Sequence, residues 1–349
     1  MATKEQPDLV PAGAGLVEPL PDEPILEPGT TEIHARGYWE GIWLRLKRDR
    51  VAIAGGVFII FLILVAFIGA PIAKKLLGHG PNDLFISSGG IDQDLLPVGP
   101  WSTVQDPVTG ANELFILGAD GTLGRDEFLR ILYGAQVSIE VAFGATFLAI
   151  SLGMMLGSLA GFYGGWTDTL ISRITEITMA FPYLLFVIAL ASTVGSRVDN
   201  ITLGFLGEGV LTLVLVFGFF SWFYAARVFR GIVLSLREKE FIEAARMVGA
   251  SNTRIVRSHI LPHLVGPLIV LSTLSIAGFV LAEAGLSFLG LGIKLPTASW
   301  GNLLADAPNF YATRPLLMVW PGFALLLTTL AFNLMGDGLR DAFDPRATR

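Results

Sequence analysis

The chain has 349 residues, of which 52% are hydrophobic and only 15% charged, with a mean hydropathy of +0.62. Soluble domains carry about 25% charged residues, so a string of water-facing domains is excluded and a polytopic membrane protein is expected. The net charge of −6, the absence of cysteine and four scattered histidines leave no disulfide framework, no thiolate site and no ligand spacing for a metal.

Residues 1–35 are rich in Pro and Glu and show no amphipathic period. Such a segment cannot bury enough apolar area to offset its ordering entropy, and is read as a disordered acidic tail. It lacks the basic and apolar regions of a cleavable signal peptide. Residues 36–72 hold the basic amphipathic stretch YWEGIWLRLKRDR and a first apolar run at about 51–72. Further runs at about 137–161, 174–194, 209–229, 263–290 and 316–336 are each long enough to cross a bilayer, giving six transmembrane helices. With the N-terminus inside, the segments 1–50, 162–173, 227–259 and 340–349 hold 17 of the 24 Lys and Arg. This bias predicts that both termini, including a C-terminal tail at 341–349, are cytoplasmic.

The segment 73–136 then lies outside and is too long for a turn. STVQ and ELFIL, separated by Asp106, Pro107, Gly110 and Asn112, predict a small hairpin. GTLGRDEFLRILYGAQ (121–136) predicts a separate amphipathic helix at the interface, with Phe128, Leu129, Ile131 and Leu132 anchoring it to the membrane surface. In the second run Gly153, Gly157 and Gly161 recur every four residues, a flat strip for helix packing.

EFIEAARMVGASNTRIVRSHILPH (240–263) interrupts the apolar pattern. Phe241, Ala244, Ala245 and Val248 share one side of a short helix, and Gly249 offers a left-handed stop. Ser251 or Asn252 can cap a second helix that ends at Leu261 and Pro262. A solvated loop, a DNA-binding helix-turn-helix and a docking helix all fit this pattern in isolation. The short tethers to the flanking spans would pin the segment to the bilayer and disfavour nucleic acid as a partner. Among ionisable groups at membrane depth, Glu283 lies deepest, beside Ser287. The pair is a candidate for a pore or gate, against a buried structural hydrogen bond.

Glu243-Ala244-Ala245, Gly249 and Leu261-Pro262 resemble the EAA loop (240–262) of bacterial ABC importer permeases. The family pattern commonly has Ile three residues before the final proline, where this chain has His259. AFPYLL (180–185), LAEAGLSFLGLG (281–292), PTASWGNLL (296–304), AFNLMGDGLRDAFDPR (331–346), LGRD (123–126) and GFYGGWTD (161–168) resemble the C-type subunit of dipeptide/oligopeptide permeases. The resemblance covers about 36–349 and implies an all-α fold, with a five-helix type I ABC importer permease core at 137–340 and an N-terminal extra helix. It implies a bacterial inner-membrane location, a homologous second permease, two ABC ATPase subunits or domains and an extracytoplasmic substrate-binding protein. Glu243, Ala244, Ala245 and Gly249 would form the docking core for the ATPase, with Arg246 at its rim and Leu261 and Pro262 closing the motif. No GxxxxGK[ST] phosphate loop is present, so ATP and Mg are expected on partner subunits. This chain is then a transport subunit with no catalytic residues and no cofactor of its own. Di- or oligopeptides are the expected cargo, with nickel or another small solute as the alternative, and the motifs single out no substrate-binding residue. An ion-coupled secondary transporter would show inverted halves with paired broken helices. The sequence has no such halves, and neither that reading nor a membrane scaffold gives the EAA segment a role.

Overall fold

The computed structural model describes residues 38–106, 110–202 and 209–344, with the backbone alone for 194–202. Residues 1–35 and the last five of the C-terminal tail lie outside that range. The chain divides into two units, 1–41 and 42–349. Of the first, the described part is the opening turn of α1 (Tyr38–Leu46).

Asp49 starts the first span: its carboxylate accepts from the N–H groups of Val51 and Ala52 at 2.9 and 3.0 Å, satisfying donors that a helix start leaves free. α2 (Arg50–Leu64) passes through a π turn into α3 (Ala70–Leu77), and Gly78 at φ +83° stops it. A hairpin follows. β1 (Ser102–Gln105) pairs antiparallel with β2 (Asn112–Phe115), Ser102 opposite Phe115. The short strands β3 (Ala119–Asp120) and β4 (Arg125–Asp126) then lead into α4 (Glu127–Tyr163).

The interfacial helix expected at 121–136 is not separate. Asp126 caps α4 by accepting from Leu129 N–H at 3.0 Å, and the helix then runs unbroken for 37 residues. At 1.5 Å per residue that is about 55 Å. Of the four expected anchors, Leu129 is fully buried and Ile131 packs on the core, so both hold the bundle together, while Phe128 and Leu132 are half-buried. Gly134 admits Trp300 from the loop beyond, whose indole N–H donates to the Ile131 carbonyl at 3.1 Å.

The run expected as one span at 174–194 is also different. α5 (Gly165–Ala180) and α6 (Tyr183–Thr202) meet at an 86° bend. Pro182 lacks an N–H and crowds the residue before it, and Phe181 accordingly adopts an extended backbone. Next come α7 (Val210–Arg237), α8 (Glu240–Met247) and α9 (Asn252–Ile255). α10 (Leu261–Phe288), α11 (Trp300–Asp306) and α12 (Leu316–Phe343) complete the chain. Leu261 and Pro262 do not end a helix: α9 continues through a π turn into α10, forming one rod from 252 to 288. The last bond of that turn, Leu261 N–H to the Val256 carbonyl, widens the helix directly ahead of a proline with no N–H to give. Among the described residues, five helices are long and apolar enough to span a membrane, and the α5–α6 pair, apolar enough but bent by 86°, gives six if it is counted as one span.

The core is built on α4. Its glycine strip lies backbone to backbone against α7: a Cβ at Gly153 would meet Trp222 O at 2.7 Å, and one at Gly161 would meet Arg230 O at 2.9 Å. α10 packs on α4 and α12, and α2 lies along α12.

Candidate functional site

The helix-turn-helix segment is held to the bundle by a few inward residues. Ile242 of α8 is fully buried with Ile255, Ile260, Phe229 and Val233 in a second apolar cluster. Burying an Ile side chain contributes about 1.5–3 kcal/mol, and Ala245 packs on the same cluster, which seats a two-turn helix whose remaining residues are exposed. Gly249 stands at φ +84° with open space around its Cα, so it is required for its conformation and not for room. Its N–H donates to Arg246 O at 2.9 Å and that of Ala250 to Ala245 O at 3.0 Å, which closes α8. Ser251, the first of the two expected caps, opens α9 by accepting from Arg254 N–H.

Glu243, Ala244, Arg246 and Gly249 are exposed and Ala245 is half-buried. Met247 and Val248 are 84% and 90% exposed. Phe241, Ala244, Ala245 and Val248 line an open cavity of about 400 Å³ that reaches His259, with Ala244 and Val248 exposed and Ala245 packed on the buried cluster. The Arg246 guanidinium lies 6.0 Å from the centroid of the Phe162 ring at the end of α4, and Arg237 donates to the Phe162 carbonyl. Asp168 in α5 and Arg230 in α7 form a two-point ion pair, the Nη2 to Oδ2 bond measuring 2.7 Å. α8 thus touches the end of α4 through Arg246, the end of α4 is tied to α7 and α7 to α5 by Arg237 and Arg230, and the Gly249–Ser251 turn joins α8 to the rod that contains α10. Leu261 is half-buried and Pro262 exposed in that rod, off the α8 surface.

Glu283 and Ser287, the candidate pore or gate pair, lie inside the protein. Glu283 is 0% exposed. Ser138 of α4 donates to its Oε2 at 2.6 Å, Ser287 donates to its Oε1 at 2.7 Å, and the Ser299 hydroxyl also bonds it. Ser287 Oγ in turn accepts from Ile293 N–H at 3.0 Å. The carboxylate joins α4, α10 and the loop before α11, and no face of it is open to a path.

A different group of polar residues does face outward from the spans. Tyr183, Ser221, Tyr224 and Ser275 contribute hydroxyls to an otherwise apolar open cavity of about 360 Å³, and the Tyr183 and Ser221 hydroxyls bond at 2.9 Å. Single hydroxyls give no periodic signal, so sequence reading did not find this groove.

It also missed a charged cluster beyond the spans. Asp120 accepts from the backbone N–H, Nε and Nη2 of Arg125 and forms an ion pair with Arg130 at 2.5 Å. Arg130 Nη1 reaches Asn82 Oδ1 at 3.0 Å and the Pro296 carbonyl at 3.3 Å, drawing three segments of chain together. Asp306 lies beside this cluster, and burial followed by repulsion from Asp120 raises its carboxyl above the usual range. The LGRD stretch was the one visible sign of the cluster. Among the described residues no group of His, Asp and Glu is arranged to hold a metal.

A family model described as binding-protein-dependent transport system inner membrane component matches residues 153–349. A second, the N-terminal TM domain of oligopeptide transport permease C, matches 37–94. A dipeptide transport system permease protein, DppC, of Alkalihalophilus pseudofirmus is 38% identical over 95% of this chain and 96% of its own length. A glutathione transport system permease protein, GsiD, of Pectobacterium atrosepticum is 36% identical over 88% of this chain and 91% of its own. A chain of the solved inward-facing MetNI methionine ABC transporter overlays with a TM-score of 0.48 at 18% identity, covering 62% of this chain and 96% of that one.

Proposed function

The chain belongs to the binding-protein-dependent transport system inner membrane component family, as an ABC importer permease of the peptide type, and we propose that it takes up short peptides with a second permease. It is a multi-pass inner-membrane transport subunit and not an enzyme. In the proposed complex both termini are cytoplasmic, ATP and Mg bind to two partner ATPases, and an outer binding protein delivers the solute. The names of the dipeptide and glutathione relatives support a peptide-like cargo.

The observation that carries this reading is α8 itself. It is a short, mostly exposed helix, anchored by buried Ile242 and by Ala245 and joined through a tight turn to a 37-residue rod. Exposed Met247 and Val248 beside Ala244 and Ala245 offer an apolar seat to a partner groove. Glu243 and Arg246 would set its register. Motion of the ATPases would pass through Gly249 and Ser251 into α10, and through Arg246 and Phe162 into α4. Gly249→Pro cannot adopt φ +84°, and Ala244→Trp fills the seat. Both variants are expected to lose at least nine-tenths of the ATPase that co-purifies with the wild-type chain, at unchanged permease yield. Wild-type recovery of ATPase from both variants would refute the docking role.

We place one wall of the solute path at the groove of Tyr183, Ser221, Tyr224 and Ser275. Hydroxyls there can bond amide groups without the desolvation cost of a fixed charge. Ser275→Trp is expected to cut uptake at least tenfold while ATPase co-purification stays normal. Uptake at the wild-type rate would remove the groove from the path.

A further inference from the structure

His79 is buried just past the first span, and both of its ring nitrogens face acceptors. Nδ1 lies 3.0 Å from the Leu77 carbonyl and 3.4 Å from Glu113 Oε2, and Nε2 lies 2.9 Å from Asp126 Oδ2. A neutral imidazole has one N–H and would point a lone pair at one of these oxygens. Only the doubly protonated ring satisfies all of them. Asp126 is committed as the cap of α4 through its other oxygen, and Glu113 sits on β2. Among the described residues neither carboxylate pairs with another cation, since Arg125 and Arg130 are turned onto Asp120. The rings of Phe85 and Phe115, each 5.3 Å away, complete an apolar wall around the imidazole.

We propose that His79 is an imidazolium latch that fastens the β1–β2 hairpin to the ends of the first and second spans, and that the latch opens as pH on its side of the membrane rises. The groups acting on it are Asp126 from the cap of α4, Glu113 from β2 and the backbone of Leu77 from α3. Burial favours the neutral ring, but the Asp126 and Glu113 carboxylates outweigh it and hold the pKa above 6.5. The sign follows from that direction. The latch is fully closed below pH 6.5, the value of an unfolded histidine, and its stabilisation fades as pH climbs through the higher folded value.

Hydrogen exchange of the 112–115 amides in the full-length chain in lipid nanodiscs, corrected for intrinsic rates, tests the latch. Wild-type protection is expected to fall at least tenfold between pH 6.5 and 9, while His79→Gln is poorly protected throughout and shows no step. Constant wild-type protection, or a step that survives in His79→Gln, would overturn the proposal. Should His79→Gln not fold, ¹⁵N spectra of a variant with His34, His259 and His263 changed to Gln read the remaining ring directly. Two protonated nitrogens at pH 6.5 and one at pH 9 are expected. A neutral ring at pH 6.5, or an unchanged cation at pH 9, would overturn it equally.

Discussion

Gly157→Leu is expected to leave little folded protein in the membrane. A Cβ at position 157 would run into the carbonyl oxygen of Ala226 and lie 3.0 Å from the Ala226 Cα, and both are backbone atoms of α7. A flexible side chain can swing away from an added methyl group, whereas a helix backbone can yield only by moving as a whole. α7 is held on both sides of that point, by Gly153 against Ala225 and Trp222, and by Gly161 against Arg230 and Val233. Overpacking a core that can repack costs about 1–3 kcal/mol, and a clash with fixed backbone exceeds that range. Stability of about 5–15 kcal/mol in total does not absorb such a loss together with the separation of the two longest-packed helices. Detergent-solubilised yield and melting temperature read the effect: a fall in Tm of at least 10 °C, or no monodisperse protein, is expected. Gly278→Ala is the control, because a Cβ there meets nothing within 4 Å. A Gly157→Leu protein that melts within 2 °C of wild type would mean that α4 and α7 do not pack as described.

The glycine strip was legible because close helix approach demands small residues at one spacing and little else satisfies it. Gly249 was legible for a related reason: a left-handed stop between two amphipathic segments has few other solutions. Burial of charge was not legible. The spacing of Phe128, Leu129, Ile131 and Leu132 made 121–136 resemble an interfacial helix, yet Glu127 and Arg130 between them are buried, and Arg130 pairs with Asp120 from the strand before. A pattern of charges does not reveal which of them meet in space. Pro182 is visible in the sequence as a helix breaker, but the size of the 86° turn is not, and both α5 and α6 pack on α7. The exposed side of α8 shows the same limit, since the period that groups Phe241 with Val248 does not say whether that side faces the bundle or a partner.

Glu283 separates a structural carboxylate from a transport carboxylate by two substitutions. In Glu283→Ala the hydroxyls of Ser138, Ser287 and Ser299 lose a shared acceptor in a site with no water access, and a cavity opens between α4 and α10. Each buried polar group left unpaired costs about 1–3 kcal/mol, so a loss of at least about 3 kcal/mol is expected, read as a large fall in Tm. Glu283→Gln keeps the volume and one carbonyl acceptor, and serine hydroxyls rotate to accept from its amide. The Gln variant is expected to melt within a few degrees of wild type and to transport at a comparable rate. Uptake lost in Glu283→Gln at normal stability would instead require a charge at this position during the cycle. The carboxylate would then have to leave its three serine partners, and α10 would have to turn relative to α4. With both oxygens occupied and the side chain 0% exposed, that rotation would break the bond to Ser138 of α4 that joins the two helices. The geometry therefore supports a role for Glu283 in holding the bundle together.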